Sequence, residues 1–422
     1  MAGMSGLEAR GAGRDADVVI VGGGIAGGAL ATVLARAGRS VVVLERTATY
    51  RDKVLGEYLV PWGVNEARRL GLYDTMVAAG GNVITRLIHY DECWTPEEAR
   101  REAWRLDELL PGVPGSMGVG HPALCDAFAA TAAGAGARIL RGVSGVHVTA
   151  GARPVVRFHH DGREQELHPS IVVAADGRDS SVRTQTGFEV LQTPVLGYGT
   201  GLLVRDAKQW PEQDEVIGNE DGRLFFVFPQ GSGLVRLYRL VLPHERPLFA
   251  GRNRTERFLE EFKLDSVPGS EHLWEAEPAG PCVTWPMHDA WARRPVTDGV
   301  VLIGDAAGYT NPLIGQGLSM ALRDVRLVAE TLLDGGREPD AFEGYVRERK
   351  ERLRRLRFSV EMFARWRCVM GPEMIQRRLE ADDLMRAEPL LGSWFAGLLM
   401  GSELMPAEAY TDEVRQRLWF TA

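Results

Sequence analysis

The sequence predicts an α/β protein in which a parallel sheet carries an inserted, mainly antiparallel sheet and is followed by C-terminal helices. Three short apolar runs, typical of buried parallel strands, begin at Val18, Ile171 and Val300, and each leads into a glycine-containing turn. From about Gln185 to Trp285, alternating strands are separated by turns instead, which is typical of an antiparallel sheet. After residue 337 the pattern is helical.

The first run opens a βαβ unit with the parts of a dinucleotide site. Gly22 permits a tight turn after the strand, and Gly24 lets the backbone approach a pyrophosphate. Gly27 lets the next helix lie close to the strand, and that helix directs its N–H groups at the phosphates. Glu45 ends the second strand, where its carboxylate can accept both hydroxyls of a ribose. We therefore predict a Rossmann-like dinucleotide-binding domain.

The second and third runs end in comparable turns. The second ends in Asp176 and Gly177, before a helix start with serine and arginine. The third ends in Gly304-Asp305, and a loop containing Pro312 leads through Gly315–Leu318 into a long amphipathic helix. The glycine-rich start of this helix exposes backbone N–H groups, which suit an anionic or enolate-like group of a cofactor.

Composition and charge narrow the function classes. The net charge of −8 over 422 residues argues against a nucleic-acid-binding surface. The four cysteines are scattered without disulfide or metal-site spacing, so we expect a reduced, cytoplasmic protein. The histidines near residue 160 predict an exposed hairpin turn rather than a metal site. The oligomeric state is not encoded in any recognisable pattern.

The chain contains no apolar run long enough for a spanning helix, so we expect no stable membrane association. The nearest candidate is the stretch Leu390–Met405, which also carries polar residues. We interpret it as core packing or a lid over a pocket. Contact with a membrane surface and a dimer face are the alternatives.

In this order, the three signatures resemble the class A FAD-dependent monooxygenases, the family of p-hydroxybenzoate hydroxylase, which is related to flavin-dependent halogenases and geranylgeranyl-reductase-like enzymes. The resemblance implies FAD as cofactor, NAD(P)H as transient reductant, and a small-molecule substrate with O2. It implies the following FAD-contacting residues: Gly22, Gly24, Ala26, Gly27, Glu45, Arg46, Lys53, His121, Val143, Asp176, Gly177, Asp305, Pro312, Gly315, Gln316, Gly317 and Leu318.

The resemblance also assigns roles within this set. Arg46 would flank the adenine, and Val143 would touch it through its backbone. Asp305 would bind the ribityl chain, and the amides of Gly315–Leu318 would lie near the pyrimidine edge of the isoalloxazine. His121 stands where the family usually has an arginine, and its neutral imidazole would weaken contact with the cofactor.

The pattern predicts three regions of the chain. They are a discontinuous FAD-binding domain of residues 15–75, 112–184 and 296–336, a substrate domain of residues 76–111 and 185–295, and a C-terminal helical region of residues 337–422.

By resemblance, the expected function is insertion of one oxygen atom, by hydroxylation or epoxidation, in specialised metabolism. Reduction or desaturation without oxygen transfer remains an alternative, because the loop Gly56–Leu59 and Gly308 are similar to the reductase and halogenase branches. Halogenation is disfavoured, since no two tryptophans are spaced W-x-W and no lysine occurs between Lys53 and Lys208. A flavin-binding protein without turnover is the remaining alternative.

Five apolar or aromatic side chains are candidates for the substrate site: Tyr58, Phe226, Phe228, Trp285 and Met287. The last four lie on the inserted strands expected over the flavin. An ordinary role in the protein core explains them equally well, and Tyr58 can equally be structural. No residue stands out as a general base, and the pattern favours only an apolar or aromatic small molecule as substrate.

Overall fold

The computed structural model describes residues 15–52, 54, 56–368 and 372–419, and it confirms the α/β class. The strands are β1 Ala16–Val21, β2 Val41–Glu45, β3 Tyr58–Leu59, β4 Asn82–Ile84, β5 Arg86–Asp91, β6 Trp104–Arg105, β7 Ser116–Gly118, β8 Arg138–Arg141, β9 Ser144–Thr149, β10 Val155–His160, β11 Arg163–Leu167, β12 Pro169–Ala174, β13 Val190–Gln192, β14 Gly197–Arg205, β15 Asp214–Glu220, β16 Arg223–Gly231, β17 Leu234–Val241, β18 Glu277–Pro278, β19 Val283–Met287, β20 Ala290–Ala292, β21 Val296–Thr297, β22 Val300–Leu302 and β23 Gly308–Tyr309.

The α-helices follow the same chain order. They are α1 Ile25–Arg36, α2 Pro61–Arg69, α3 Tyr73–Ala78, α4 Pro96–Arg101, α5 His121–Gly134, α6 Ser181–Gln185, α7 Arg254–Glu260, α8 Glu271–Trp274, α9 Gly317–Leu333, α10 Glu343–Arg367, α11 Pro372–Ala387, α12 Pro389–Met400 and α13 Asp412–Trp419.

A six-stranded sheet forms the centre of the nucleotide-binding part, in the order β21-β22-β12-β1-β2-β8. Its strands are parallel except for β21, which pairs with β22 in the antiparallel sense. Side chains of β1 alternate between two cores: Val18 and Ile20 pack with α1, whereas Val19 and Val21 pack with strands β9 and β10. Because both faces are covered, the predicted apolar run Val18–Val21 of β1 is buried between the two cores.

An eight-stranded mixed sheet forms the inserted part, in the order β18-β14-β17-β16-β15-β5-β6, with β19 also paired to β14. Strand β5 comes from the earlier segment of the chain and runs parallel to β15. One face of this sheet covers a core with α7 and α8. The other face joins the core of the nucleotide-binding part, and this second face carries the candidate substrate residues. All strands of the two large sheets lie within the predicted domain ranges. The exact bounds of the domains stay a prediction.

Two local sequence expectations have clear structural outcomes. The predicted hairpin is confirmed: β10 and β11 are joined by Asp161 and Gly162, with φ of +52° and +73°. Residues 138–149 carry a strand-forming pattern, and they form two strands, β8 and β9. Gly142 adopts a φ of +76° between them, so β8 stays in the parallel sheet while β9 joins β10 and β11.

The C-terminal helices close the fold against α9. Asp324 on α9 is fully buried and accepts from Arg349 at 3.1 Å and from Arg352 at 2.7 Å, both on α10. The apolar stretch near residue 395 forms α12, and its Trp394 and Phe395 are buried, which confirms the core-packing interpretation. Among the described residues, no helix is both long and apolar enough to cross a membrane.

Candidate functional site

The three glycine-containing turns meet at one edge of the parallel sheet. Strands β22, β12, β1 and β2 are neighbours, and the turns that begin at Gly304, Asp176 and Gly22 follow the carboxyl ends of the first three. Glu45 closes the fourth strand at the same edge. Ligands of open α/β sheets bind outside this edge, so the topology places the predicted dinucleotide site there.

Three glycines, one from each turn, border open space at this edge. A Cβ atom added to Gly24, Gly177 or Gly317 would meet no described atom within 4 Å. In contrast, a Cβ on Gly22 would lie 2.4 Å from the carbonyl oxygen of Ala175, and one on Gly27 would overlap the carbonyl oxygen of Gly22. The first group therefore leaves room for a ligand against the backbone, and the second group permits the turn itself.

This arrangement fits the diphosphate of a dinucleotide. Gly24 is the N-cap of α1, and Gly317 is the first residue of α9, so two long helices direct unpaired N–H groups into the open space. Gly24 has an extended backbone with φ −68° and ψ −164°, which any residue can adopt. Its lack of a side chain is therefore needed for the space it leaves and not for its conformation.

Glu45 is buried at the end of β2, where its carboxylate organises the glycine turn. It accepts from the backbone N–H of Gly23 at 2.6 Å and from that of Thr47 at 2.7 Å. The Tyr50 hydroxyl donates to the carbonyl oxygen of Gly23 at 2.6 Å on the same turn. Each carboxylate oxygen keeps a second lone pair, so Glu45 can hold the turn and still accept a ribose hydroxyl.

The two other acidic residues of the signatures have different partners. Asp176 accepts from the hydroxyl of Ser180 at 2.5 Å and from the N–H of Val182 at 3.2 Å, so it holds the start of α6. Asp305 accepts from Arg178 Nε at 3.0 Å and is half-buried. The guanidinium of Arg178 also lies 4.5 Å from the ring centre of Tyr309. Asp305 is thus the more available carboxylate for a cofactor hydroxyl.

The loop before α9 is fixed by its own polar groups. Pro312 begins a short 3₁₀ turn that ends at Gly315, whose φ is +61°. The Gln316 side chain accepts from Trp62 Nε1 at 2.9 Å and donates to the carbonyl oxygen of Leu398 at 3.1 Å. The side chain of Gln316 is therefore structural, and only backbone atoms of this loop are offered to the open space.

The remaining predicted cofactor contacts lie around this edge. His121 is buried at the first turn of α5, and its Cδ2 would be 3.4 Å from a Cβ on Gly56. The N–H of Val143 donates to the carbonyl oxygen of Glu45 at 3.1 Å, and Arg46 is exposed. Ala26 and Leu318 lie at the starts of α1 and α9. Lys53 lies outside the described residues.

Four of the five candidate substrate residues belong to one aromatic face. Phe226 stacks on Phe228 at 5.8 Å between ring centres, and Phe228 stacks on Tyr58 at 4.5 Å. Tyr238 joins this row, since its ring meets Phe228 at 5.9 Å and Trp285 at 5.7 Å. Met287 is buried in the same core at the end of β19. Tyr238 was not identified in the sequence analysis, although successive side chains of β17 alternate between the two faces of the sheet.

The aromatic face reaches the edge of the open space at Tyr58. A Cβ atom on Gly315 would lie 3.3 Å from Cδ1 of Tyr58, so the tyrosine ring covers the loop before α9. The Tyr58 hydroxyl donates to Glu215 Oε1 at 2.7 Å and lies 3.0 Å from the Ser116 hydroxyl. Burial raises the pKa of Glu215 to about 8, and the hydrogen bond from Tyr58 opposes this only in part. Sequence reasoning missed Glu215.

A second buried polar cluster fixes the loop before β3 on the inserted sheet. Arg236 on β17 donates to both oxygens of Glu57, each at 2.5 Å, and to Asp52 at 2.8 Å. Gln230 adds a hydrogen bond to Glu57 at 2.8 Å. Burial raises the pKa of Glu57 to about 7 against the attraction of Arg236, while that arginine holds the pKa of Asp52 below its ordinary value despite burial. The cluster therefore ties the loop that precedes Tyr58 to strands β16 and β17.

Comparison with protein families gives a match over most of the chain. The FAD binding domain family matches residues 15–358. Menaquinone reductase of Mycolicibacterium smegmatis is 30% identical over 342 residues, which cover 76% of this chain and 77% of that protein. Squalene monooxygenase of Mus musculus is 28% identical over 334 residues, covering 76% of this chain but only 55% of that protein. The chain therefore spans about half the length of the squalene monooxygenase that it matches.

Solved structures share the fold. The p-nitrophenol 4-monooxygenase of Pseudomonas putida superposes with a TM-score of 0.72 and 18% identity, covering 92% of this chain and 96% of that chain. A flavoprotein/dehydrogenase of Cytophaga hutchinsonii superposes with a TM-score of 0.74 and 16% identity, covering 95% and 97%. At these identities the likeness shows the architecture alone.

Proposed function

Because the chain belongs to the FAD binding domain family, which holds the class A FAD-dependent monooxygenases, we propose that it inserts one oxygen atom from O2 into an apolar or aromatic small molecule. The insertion is a hydroxylation or an epoxidation, with NAD(P)H as the reductant, and it serves specialised metabolism. The match to squalene monooxygenase supports oxygen transfer to a substrate of this kind.

One observation carries the proposal: the aromatic face and the open space meet. The space beside Gly24, Gly177 and Gly317 suits the cofactor, and Tyr58 at the end of the aromatic row packs against the loop before α9. FAD, when bound, supplies the electron transfer and oxygen chemistry that no side chain here can perform. A flavin held along that loop would face the aromatic row.

The chain's own residues bind the cofactor and exclude water. Backbone N–H groups at Gly24 and Gly317 hold the diphosphate and the flavin edge, and Glu45 and Asp305 accept cofactor hydroxyls. We also propose that the other predicted FAD contacts, which range from Ala26 to Leu318 in the sequence, bind the cofactor at the same site. The aromatic face, bordered by the Arg236–Glu57 ion pair, would keep water from the reacting centre and so limit side reactions.

A second candidate is reduction of an apolar quinone or polyprenyl group without oxygen transfer. The specific observation in its favour is the menaquinone reductase match, which covers 77% of that protein. Both candidates use FAD and an apolar site, so they differ only in where the electrons from NAD(P)H go. In the first they reduce O2, and in the second they reduce the substrate.

Labelled oxygen distinguishes the two. Purified protein with FAD and NAD(P)H is incubated under ¹⁸O2 with one of two substrates: squalene, an apolar alkene, or menadione, an apolar naphthoquinone. The masses of the products are then measured by mass spectrometry. The proposal expects a product that carries one labelled oxygen atom. A product that gains two hydrogen atoms and no label would establish the reductase instead. Label taken from H2¹⁸O and not from ¹⁸O2 would also contradict direct oxygen transfer.

A further inference from the structure

Glu215 differs from the other buried carboxylates of the described chain. Eight further acidic residues are buried, and each accepts from an arginine or from a backbone N–H group: Glu45, Glu57, Glu66, Asp91, Asp214, Glu220, Asp289 and Asp324. Glu215, only 1% exposed, has neither kind of partner among the described residues. Its Oε1 accepts from Tyr58, and its Oε2 has no hydrogen-bond partner there.

The position of Glu215 on β15 puts its carboxyl group on the sheet face that carries the candidate substrate residues. On β15 it is two residues before Ile217, which pairs with Phe226 of β16, so strand alternation puts it on the aromatic face. Tyr58 stacks on Phe228 and donates a hydrogen bond to Oε1 of Glu215. The tyrosine ring also lies against the loop before α9, so it connects the carboxyl group to that loop. The carboxyl therefore lies beside the aromatic row, on the sheet face that also carries the Arg236–Glu57 pair.

Burial without a counter-charge favours the neutral carboxylic acid, in which Oε1 is the carbonyl oxygen and Oε2 carries the proton. The groups that face it do not supply a charge. Tyr58 is held neutral because burial raises its pKa, and His89 on the neighbouring strand β5 is held neutral because burial and Arg367 lower its pKa. Arg236, two strands away, is paired with Glu57 and Asp52.

A buried O–H donor without an acceptor is costly, and such groups in native proteins are nearly always satisfied. Resting on the proposed function, we propose that Glu215 donates a hydrogen bond to an oxygen atom of the substrate and so orients it over the aromatic face. The substrate class is then a neutral, apolar ring system with one acceptor oxygen, such as a ketone, quinone or phenol. A pure hydrocarbon would leave the donor unsatisfied and bind less tightly.

The test compares two probes that share one carbon skeleton, 1-tetralone with a carbonyl oxygen and tetralin without it. Binding to the FAD-loaded protein is measured by isothermal titration calorimetry at about pH 6, without NAD(P)H. The wild type is expected to bind 1-tetralone about tenfold tighter than tetralin, the worth of one buried hydrogen bond. This preference should decline above about pH 8, where Glu215 loses its proton.

Variants separate the donor from a packing role. Glu215→Gln keeps an N–H donor, so it should retain the preference and lose its pH dependence. Glu215→Leu removes the donor and should bind both probes equally, and Tyr58→Phe should weaken the preference by freeing the carboxyl. FAD content is recorded for each variant, because a variant that merely misfolds would also lose the cofactor.

Equal affinity for the two probes in the wild type, or failure to bind either, would overturn the proposal. A preference that persists in Glu215→Leu at full FAD content would overturn it as well. The binding measurement uses neither O2 nor NAD(P)H, so its result is independent of the labelled-oxygen experiment. Oxygen transfer can therefore fail while the anchor role of Glu215 holds, and the reverse outcome is equally visible.

Discussion

Replacing Glu215 by glutamine should stabilise the protein increasingly as the pH rises. Burial raises the pKa of this carboxyl from its ordinary value of 4.5 to about 8, so the folded state holds a proton that the unfolded state releases. The stability of the wild type is therefore complete below the lower value and is lost as the pH rises towards the upper one. The glutamine amide does not titrate and is free of this cost.

The magnitude follows from the two pKa values. Within the interval from 4.5 to 8, each pH unit costs the folded wild type about 1.4 kcal/mol relative to the variant. Between pH 5 and pH 8 the free energy of unfolding of Glu215→Gln should thus gain about 4 kcal/mol on that of the wild type. The hydrogen bond from Tyr58 is kept by the amide oxygen, so packing is matched.

The assay is urea denaturation of both proteins with excess FAD at several pH values. Glu351→Gln is the control, because hydrogen bonds from Arg354 and Arg355 lower the pKa of Glu351 to about 2 although burial raises it. Glu351 is ionised in both states from pH 5 to pH 8, so the difference between the control variant and the wild type should stay constant. Parallel curves for the wild type and Glu215→Gln would refute the neutral, buried carboxyl.

Three further substitutions test the proposed FAD site and the buried Arg236–Glu57 cluster. Glu45→Ala and Asp305→Ala should each weaken FAD binding by about 1.5–3 kcal/mol, the loss of a charge-assisted hydrogen bond, and unchanged dissociation constants in fluorescence titrations would remove these residues from the site. Arg236→Met leaves Glu57 buried without its partner. It should lower the free energy of unfolding by about 3–5 kcal/mol, and a variant as stable as the wild type in urea would show that the cluster is not structural.

The sequence predicts the parallel sheet well for a physical reason. Strands β1, β12 and β22 are covered on both faces, so each contains an apolar run next to a glycine-containing turn. That pattern is readable without tertiary information. The break between β8 and β9 was not predictable in the same way. Both halves carry strand-forming residues, and only the left-handed turn at Gly142 sends them to different sheets.

The candidate site was predictable only where backbone chemistry determines it. Glycines beside a ligand leave a sequence pattern, and so does an acid at the end of β2. Glu215 has no such sequence pattern. Its proposed role depends on the sheet register and on the lack of a neighbouring cation among the described residues. In the sequence it is one acidic residue in an alternating strand, which by itself is typical of a solvent-facing position.

The open space at the sheet edge is the proposed FAD site, and filling it at Gly24 tests that assignment most directly. A Cβ at position 24 meets no described atom within 4 Å, and the extended backbone there suits any residue, so Gly24→Val should fold normally while filling that space. Gly344→Val is the matched control, since a Cβ at Gly344 also meets no described atom within 4 Å and lies at the start of α10. FAD titration followed by flavin fluorescence should show binding at least about a hundredfold weaker for Gly24→Val and unchanged for Gly344→Val. Wild-type affinity for FAD in a folded Gly24→Val variant would contradict the assignment of the site.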